Sequence, residues 1–396
     1  MTRALRNCCA VVATLTLAGC ATLSESPLTS WMTSIPAPSF AWLLGSSHKP
    51  GPLPPLEPSV TPRIAWQQGV GKAAPGLAPA ITPSAIYAAA IDGTLVRLDP
   101  ATGRVDWRVS AGKPLSAGPG ADDELVVVGT AKGDVLAFGT DGKARWTANV
   151  SSEVIAPPRV ADGMVLVFSG DGRIYGLAGA DGKVVWVDPH NNPPLTVRNA
   201  AGGVVYRGGL FIGTAGGRLL AIDTKTGALG WDGTVATPKG ATELERIADV
   251  TSQPYVDDRQ ACAAAYQGRV ACFDTVRGTL IWTRDISSLA GITADRDRLY
   301  VVDDKGAVQA LDRTNGASIW KQDDLAKRRI GGPQLIGDDI GVVDVEGYLH
   351  LLSRTDGKYV GRLATDGSLA TTQPAPLGGG IVWQSEKGTV YSVGAR

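Results

Sequence analysis

The sequence has few of the residues and motifs that catalysis and metal binding commonly require. Histidine occurs three times in 396 residues, and no two histidines stand at the spacing of metal ligands. The G-x-S-x-G, phosphate-loop and paired-cysteine redox motifs are absent. Lysine plus arginine equals aspartate plus glutamate, 38 of each, so there is no basic excess for nucleic acid. We therefore expect no enzyme, no metal, no cofactor and no nucleic-acid partner.

Long hydrophobic runs are also lacking. The apolar stretch 8–17 follows two arginines, and its roughly ten residues are too few to cross a bilayer, which takes about 20. It is typical of a secretory signal, and LAGC (17–20) resembles the box of bacterial lipoproteins, in which the cysteine is acylated. The resemblance implies a signal peptide over 1–19 and a lipid on Cys20. Ala21, where inner-membrane lipoproteins commonly have aspartate, favours the outer membrane, facing the periplasm. A plain signal with a chance cysteine is the alternative.

Two cysteines, Cys262 and Cys272, remain after the signal is removed and Cys20 is lipidated. The periplasm permits a disulfide. In a hairpin with a two-residue loop at Gln267-Gly268, however, the alternation of side chains places the two cysteines on opposite faces. The sequence therefore favours two buried free thiols.

Glycine and proline, by contrast, are abundant, with 50 and 25 residues. Nine prolines fall within 21–62, so residues 20–62 are predicted to be a lipidated cysteine followed by an extended tether. From residue 63 onward the chain repeats, as in GTLVRLDPATGRVDW (93–107) and GAVQALDRTNGASIW (306–320). The hairpin glycines of the repeats are Gly93, Gly133, Gly172, Gly217, Gly268, Gly306, Gly347 and Gly388.

Each repeat predicts four strands, with a glycine turn that needs positive φ and a tryptophan in the last strand. One such unit cannot bury both faces, so neighbouring units must stack around an axis. One repeat has Gly361 in place of its tryptophan, and the eighth stops before its tryptophan strand. RIAWQQGV (63–70) supplies that strand. We predict an all-β, eight-bladed β-propeller of four-stranded antiparallel blades over 63–396, closed by an N-terminal strand that completes the last blade.

Two of the intervals between hairpin glycines are long, 45 and 51 residues against 38–41 elsewhere. The additional residues lie in 187–203 and 237–254, where an outer strand crosses to the next inner strand, and all such crossings emerge on one face. The pair is a candidate partner site, with neutral loop growth as the alternative. The basic run 327–329 is interpreted as a solvated loop.

The xLDxxTGxxxW pattern of the repeats resembles the quinoprotein-type eight-bladed propellers. With the lipoprotein box and the tether, the chain is similar to the BamB family, lipoproteins of the outer-membrane β-barrel assembly machinery. This implies a non-enzymatic scaffold that binds the POTRA domains of BamA, with nascent outer-membrane proteins as a further partner. PPLTVRN (193–199) and IADVTSQP (247–254) are similar to the family's partner-binding loops. Carried over by position, the implied binding residues are Leu195, Val197, Arg198, Asp249 and Thr251.

Thr251 departs from the family pattern, which has a second aspartate at that place. Glu243 or Glu245 is a candidate to compensate for the missing charge. Two other functions stay open. The chain is compatible with another propeller adaptor of the cell envelope, or with a quinone-cofactor dehydrogenase. The dehydrogenase reading is disfavoured because the mature chain has no adjacent cysteines.

Overall fold

The computed structural model describes residues 49–190, 192–197 and 202–395. In that part of the chain the strands form eight antiparallel sheets of four strands each. The strands are β1 (Pro62–Gly69), β2 (Ala80–Ile81), β3 (Ile86–Ala89), β4 (Thr94–Leu98), β5 (Val105–Ser110), β6 (Ala117–Ala121), β7 (Leu125–Gly129), β8 (Asp134–Gly139), β9 (Ala144–Asn149), β10 (Arg159–Ala161), β11 (Met164–Phe168), β12 (Ile174–Ala178), β13 (Val184–Asp188), β14 (Val204–Tyr206), β15 (Gly209–Thr214), β16 (Arg218–Asp223), β17 (Leu229–Thr234), β18 (Tyr255–Val256), β19 (Gln260–Ala264), β20 (Val270–Asp274), β21 (Leu280–Arg284), β22 (Gly291–Ala294), β23 (Arg298–Val302), β24 (Val308–Asp312), β25 (Ser318–Gln322), β26 (Gln334–Ile336), β27 (Asp339–Val343), β28 (Tyr348–Ser353), β29 (Tyr359–Ala364), β30 (Ala375–Leu377), β31 (Gly380–Gln384) and β32 (Thr389–Ala395).

The eight sheets are the blades of a propeller that is closed by its own N-terminal strand. Blade 1 is β2–β5, and each following set of four strands forms the next blade, up to β26–β29 as blade 7. Blade 8 has the order β1-β32-β31-β30, so β1 is its outermost strand. From β2 to β30, the first strand of each blade contacts the first strand of the next. The predicted eight-bladed all-β fold and its closure are confirmed.

The hydrophobic core is divided among the gaps between neighbouring blades. Within the described residues the buried side chains form eight clusters, and each cluster joins two adjacent blades. The cluster between blades 8 and 1 combines Trp66 and Val390 with Ile86. Across the same gap the side-chain amide of Gln384 donates a hydrogen bond from Nε2 to the carbonyl oxygen of Ala89 at 3.0 Å. Because the blades share their cores, stability depends on the complete ring.

The hairpin between the second and third strands of blade 1 has a loop of three residues, where the sequence predicted two. The amide of Ala90 donates to the carbonyl oxygen of Thr94 at 2.9 Å, and the amide of Gly93 donates to the carbonyl oxygen of Ala90 at 3.1 Å. Gly93 has a φ of 98°, a left-handed conformation that glycine adopts without steric strain. The predicted positive φ is therefore confirmed here, although in blade 5 Gln267, with a φ of 49°, has it in place of Gly268. The predicted loop length is wrong, because the turn is the three-residue type that ends in a left-handed residue.

Cys262 and Cys272 form a disulfide, with Cα atoms 4.1 Å apart, so the expectation of free thiols is wrong. Their hairpin also has a three-residue loop, 266–268, because the amide of Ala265 donates to the carbonyl oxygen of Arg269 at 3.0 Å. The additional residue shifts the register by one, and Cys262 then lies directly opposite Cys272. Both side chains are fully buried between blades 5 and 6.

Seven tryptophans on outer strands connect every blade except blade 7 to the following one. The indole N–H of each donates to a carbonyl oxygen in the turn between the third and fourth strands of the next blade, at 2.7–3.0 Å. The ring also covers a glycine of that turn, and a Cβ on Gly316 would lie 2.5 Å from the ring of Trp282. The hydrogen-bonded pairs are Trp66–Pro100, Trp107–Thr140, Trp146–Gly179, Trp186–Thr224, Trp231–Thr275, Trp282–Arg313 and Trp320–Arg354.

The closure of the ring explains why blade 7 has Gly361 in place of a tryptophan. The third and fourth strands of blade 8 are β32 and β1, at opposite ends of the propeller sequence, so no turn connects them. Residues 50–61, here called the N-terminal strap, contact blade 7 instead. The amides of Ser59 and Val60 both donate to the carbonyl oxygen of Val360 at 2.9 Å. A Cβ on Gly361 would lie 2.7 Å from the carbonyl oxygen of Val60.

A buried arginine in blade 7 holds the beginning of the strap. Arg328 is 1% exposed, and its Nε donates to Oδ2 of Asp344 at 2.7 Å. Its two other nitrogens donate to the carboxylate of Glu346 and to the carbonyl oxygen of Gly51. The prediction of a solvated loop over 327–329 is therefore wrong for Arg328, because its charge is paired inside the protein.

His350 extends this cluster as a neutral imidazole. Its Nε2 lies 2.8 Å from Oδ2 of Asp344, and its Nδ1 lies 3.3 Å from Nε of Arg362, which can only donate. Burial lowers the pKa of His350, against the opposing effect of the hydrogen bond to Asp344. Burial alone would raise the pKa of Asp344, but hydrogen bonds, the largest from His350, hold that pKa below its ordinary value. Arg362 also donates to the carbonyl oxygen of Pro54 at 2.7 Å.

We expect this histidine to make folding sensitive to mild acid. Its pKa is lower in the folded protein than the ordinary 6.5, so its contribution is fully present above that pH and is lost as the pH falls towards the folded-state pKa. Between pH 7 and pH 5.5 the wild type should lose more unfolding free energy than a His350→Gln variant. Urea unfolding at the two pH values measures the difference, and equal losses in both proteins would contradict the expectation.

Candidate functional site

Two long connections lie on one face of the propeller. Strands within a blade alternate in direction, so each connection from an outer strand to the next inner strand emerges on the same face as the hairpins between second and third strands. We call this the crossing face. The two longest of these connections are residues 189–203, between β13 and β14, and residues 235–254, between β17 and β18. They leave consecutive blades, as the repeat spacing predicts.

Asp249 joins the two long connections from inside the protein. Its side chain is 2% exposed. Its Oδ2 accepts a hydrogen bond from the amide of Val197 at 2.6 Å, and its Oδ1 accepts one from the amide of Gly216 at 2.9 Å. Its carbonyl oxygen accepts from the amide of Tyr266 at 2.8 Å. The carboxylate therefore holds the backbone of the first connection at Val197 against the hairpin of blade 4, rather than facing solvent.

The other residues that the family resemblance implies differ in their surroundings. Leu195 is 44% exposed, whereas Val197 is half-buried. Thr251 is 9% exposed, and its hydroxyl donates to the carbonyl oxygen of Ser288 at 3.3 Å. Arg198 lies outside the described residues. The described part of the predicted set is thus one exposed leucine, a half-buried valine that Asp249 binds through its amide, and a buried threonine that binds the connection between blades 5 and 6.

The second long connection presents a leucine that the sequence analysis missed. Glu245 Oε2 accepts hydrogen bonds from the amides of Thr242 at 3.1 Å and Ala241 at 2.8 Å, and these bonds lower the pKa of Glu245. In return, the hydroxyl of Thr242 accepts from the amide of Glu245 at 3.3 Å. Leu244 lies within this turn and is 67% exposed. The signal in the sequence was the capping pattern Thr-x-x-Glu, which predicts an ordered turn.

Two cavities accompany this face. One of about 260 Å³ opens between blades 3 and 4 and is lined in part by Val197 and Asp249. A larger one, about 950 Å³, follows the axis of the propeller and is lined mainly by the innermost strands and the connections that precede them.

Neither a metal centre nor a spanning helix is found in the part of the chain that the structure describes. No group of three or more His, Cys, Asp or Glu residues there is placed to hold a metal ion. No helix within the same residues has the length and hydrophobicity needed to cross a membrane. The predicted signal peptide, 1–19, and the predicted lipidation site, Cys20, lie outside the described residues.

Comparison with solved structures relates the fold to two kinds of propeller. The crystal structure of BamB from Moraxella catarrhalis superposes with a TM-score of 0.76 at 28% identity, covering 83% of this chain and 99% of that one. A quinohemoprotein alcohol dehydrogenase from Comamonas testosteroni superposes with a TM-score of 0.65 at 13% identity, covering 84% and 76%. At that identity, the likeness to the dehydrogenase concerns the fold alone.

Sequence comparison distinguishes between the two. The outer membrane protein assembly factor BamB of Bordetella pertussis is 39% identical over 351 residues, 88% of this chain and 91% of its own. That of Nitrosomonas eutropha is 40% identical over 309 residues, 78% and 76% of the two chains. The family model described as "Outer membrane protein assembly factor BamB" matches residues 91–322 and 305–396. The chain therefore belongs to the BamB family of outer membrane protein assembly factors.

Proposed function

We propose that this protein is a non-enzymatic scaffold of outer membrane protein assembly that binds the POTRA domains of BamA through its crossing face. A lipid on Cys20 anchors it to the outer membrane on the periplasmic side. The names of its relatives support the assembly role. The observation that carries the binding proposal is the pair of exposed leucines, Leu195 and Leu244, on adjacent long connections of one face.

The local structure suits protein binding because it combines apolar anchors with a fixed backbone. Apolar contacts at the centre of an interface, surrounded by polar residues, supply much of the free energy of association. Ordering a loop on binding opposes association. Asp249 reduces that penalty for the connection that carries Leu195, and the Thr242–Glu245 turn does so for Leu244. In the sequence, Arg198 directly follows Val197 and is the third residue after Leu195.

Placing a charge on either leucine should weaken binding to BamA without weakening the fold. For Leu195→Asp and Leu244→Asp we expect the dissociation constant for the purified POTRA region of BamA to rise at least about tenfold, a change of about 1.4 kcal/mol. The same direction is expected for Arg198→Glu. Calorimetric titration measures the affinity, and thermal melting confirms that the propeller is intact, since exposed side chains contribute little to its stability.

Leu280 offers a matched control. It is 54% exposed in β21, an outer strand of blade 5, and begins that strand on the face opposite the crossing face. Leu280→Asp introduces the same charge at a comparably exposed leucine and should leave the affinity for the POTRA region unchanged. Equal weakening by all three aspartate variants, or no weakening by any of them, would contradict the proposed location of the site.

A further inference from the structure

We infer that the cavity of about 950 Å³ on the propeller axis, here called the axial cavity, binds a carboxylate on an apolar body, with the guanidinium of Arg159 as its counter-ion. The lining residues come from the innermost strands and from connections of the crossing face, so the cavity opens towards that face. Leu195 and Leu244, the proposed anchors for BamA, do not line it. The inference therefore goes beyond the proposed function and does not depend on it.

Arg159 presents unused hydrogen-bond donors to the axial cavity. It begins β10, the innermost strand of blade 3, and lines the cavity. Its Nε donates to the carbonyl oxygen of Gly203 at 2.6 Å, which restricts the orientation of the guanidinium. Its two terminal nitrogens form no hydrogen bond with the described residues, and they are not sealed off from solvent. One N–H on each of them is thus free to bind the two oxygens of a carboxylate.

The charge of Arg159 has no counter-ion among the residues that the structure describes. Arg313 and Arg328, which are also largely buried, each form an ion pair with an aspartate, whereas Arg159 forms none. Burial alone lowers the pKa of Arg159 to about 10, without an opposing contribution from a carboxylate, so the group stays charged at neutral pH. Because buried charges in proteins are normally paired, an anion that enters the cavity would supply the missing partner.

The other charged side chains of the lining also favour an anion. Lys305 and Arg329 are exposed and form no ion pair with a described residue. Asp303 lies 3.7 Å from Nζ of Lys321, so its charge is already balanced. Asp304 is exposed. Together with the guanidinium of blade 3, two further cations are thus set against one unpaired carboxylate, and this balance attracts a negatively charged ligand.

Much of the remaining wall is hydrocarbon. Prolines and aliphatic side chains contribute to it, among them Pro119, Pro158, Val160, Val204, Val205 and Ile330. Beside the guanidinium, the side-chain amide of Gln253 donates to the carbonyl oxygen of Gly203 at 3.4 Å and retains a second N–H. A carboxylate with a hydrocarbon chain would therefore meet donors at one end and apolar wall along its length. Such a group occurs on small organic acids and at the C-terminus of an extended peptide.

The chemistry of the ligand is tested with three probes on the full protein carrying ¹³C-labelled valine methyl groups. We expect hexanoate at millimolar concentration to shift the methyl signals of Val160, Val204 and Val205. Hexanamide, which lacks the charge, and acetate, which lacks the hydrocarbon chain, should each bind at least about tenfold more weakly. Absence of these shifts with hexanoate, or equal binding of hexanoate and hexanamide, would overturn the inference.

The role of the arginine is tested with two variants and a matched control. Arg159→Met should lower the affinity for hexanoate at least about tenfold. Arg159→Lys keeps the charge without the planar fork and should lower it about threefold to fivefold, so it remains informative if the methionine variant folds poorly. Arg296 is exposed in the turn between β22 and β23, on the opposite face, and Arg296→Met should bind hexanoate like the wild type. Unchanged affinity in both Arg159 variants would overturn the inference.

A pair of peptides distinguishes the two sources of the carboxylate. Acetyl-Ala-Val-Leu with a free C-terminus is compared with the same peptide as its C-terminal amide. If the peptide acid binds at least about fivefold more tightly than hexanoate and the peptide amide does not, the ligand is a chain terminus; otherwise it is a small organic acid, and either result supports the site. A protein that takes up hexanoate but does not bind the POTRA region would overturn the proposed function and leave this inference standing.

Discussion

We expect a chain that lacks residues 63–70 to melt about 10 °C or more below the full protein, or to unfold without a cooperative transition. The deletion removes all of β1 except Pro62, and with it the pairing to β32 from Arg63↔Gly394 to Gly69↔Thr389. It also removes Trp66, which is 7% exposed and donates its indole N–H to the carbonyl oxygen of Pro100 in blade 1. Loss of one buried tryptophan alone is worth about 3–5 kcal/mol, and the ring then opens between blades 8 and 1.

Differential scanning calorimetry of the purified full-length protein and the deletion variant measures the difference in melting temperature. The control is a deletion of equal length, residues 26–33, within the proline-rich stretch and upstream of every contact described above. This control should have the same melting temperature as the full-length protein. A 63–70 deletion that melted at the same temperature as the control would mean that the blades are held together without the strand that completes the eighth.

Replacing the buried arginine of blade 7 has the second large effect. Arg328→Met keeps much of the side-chain volume but leaves Asp344, which is fully buried, without its 2.7 Å ion pair. Removing one partner of a buried pair destabilises a protein by about 3–5 kcal/mol. The carbonyl oxygen of Gly51 loses its donor at the same time. We therefore expect a large fall in the unfolding free energy together with release of the strap.

The neighbouring Arg329 is exposed and provides the matched control. Arg329→Met removes the same charge from the same loop and should change the unfolding free energy by no more than about 0.5 kcal/mol. Urea titration followed by tryptophan fluorescence measures both variants. Release of the strap is read separately, as faster proteolytic cleavage between residues 50 and 61. Equal stability of the two variants would show that the charge of Arg328 is not needed inside the fold.

The sequence was informative wherever a feature recurs in every blade. The turn glycines and outer-strand tryptophans gave the number of blades, and RIAWQQGV gave the closure, because an unpaired tryptophan strand at one end matches a missing one at the other. Gly361 was visible as a departure from the repeat. Its cause was not, because only the folded ring shows that blade 8 has no turn to receive a tryptophan and that Val60 lies there instead.

Structural features that depend on a single residue or on partners far apart in the chain could not be predicted from the sequence. The disulfide depended on whether the hairpin loop has two residues or, as observed after Ala265, three. With two, the cysteines would lie on opposite faces; with three, they lie directly opposite each other on neighbouring strands. The burial of Arg328 depends on Asp344 and on the strap, which lies almost 280 residues away in the chain. From the sequence, Asp249 would be taken for a charge at the surface. The structure shows that both carboxylate oxygens accept hydrogen bonds from backbone amides.

The strap determines the direction from which the propeller is held. Gly51 contacts Lys327, in the connection from β25 to β26, so the chain reaches the ring on the crossing face beside blade 7. In a ring of eight, blade 7 is diametrically opposite blade 3, where the connection with Leu195 begins. With the proposed lipid on Cys20 and the proposed BamA site at Leu195, a tether of at most about 100 Å would hold the ring at blade 7 while the partner binds at the opposite blade, so that the two attachments would load the ring across its full diameter.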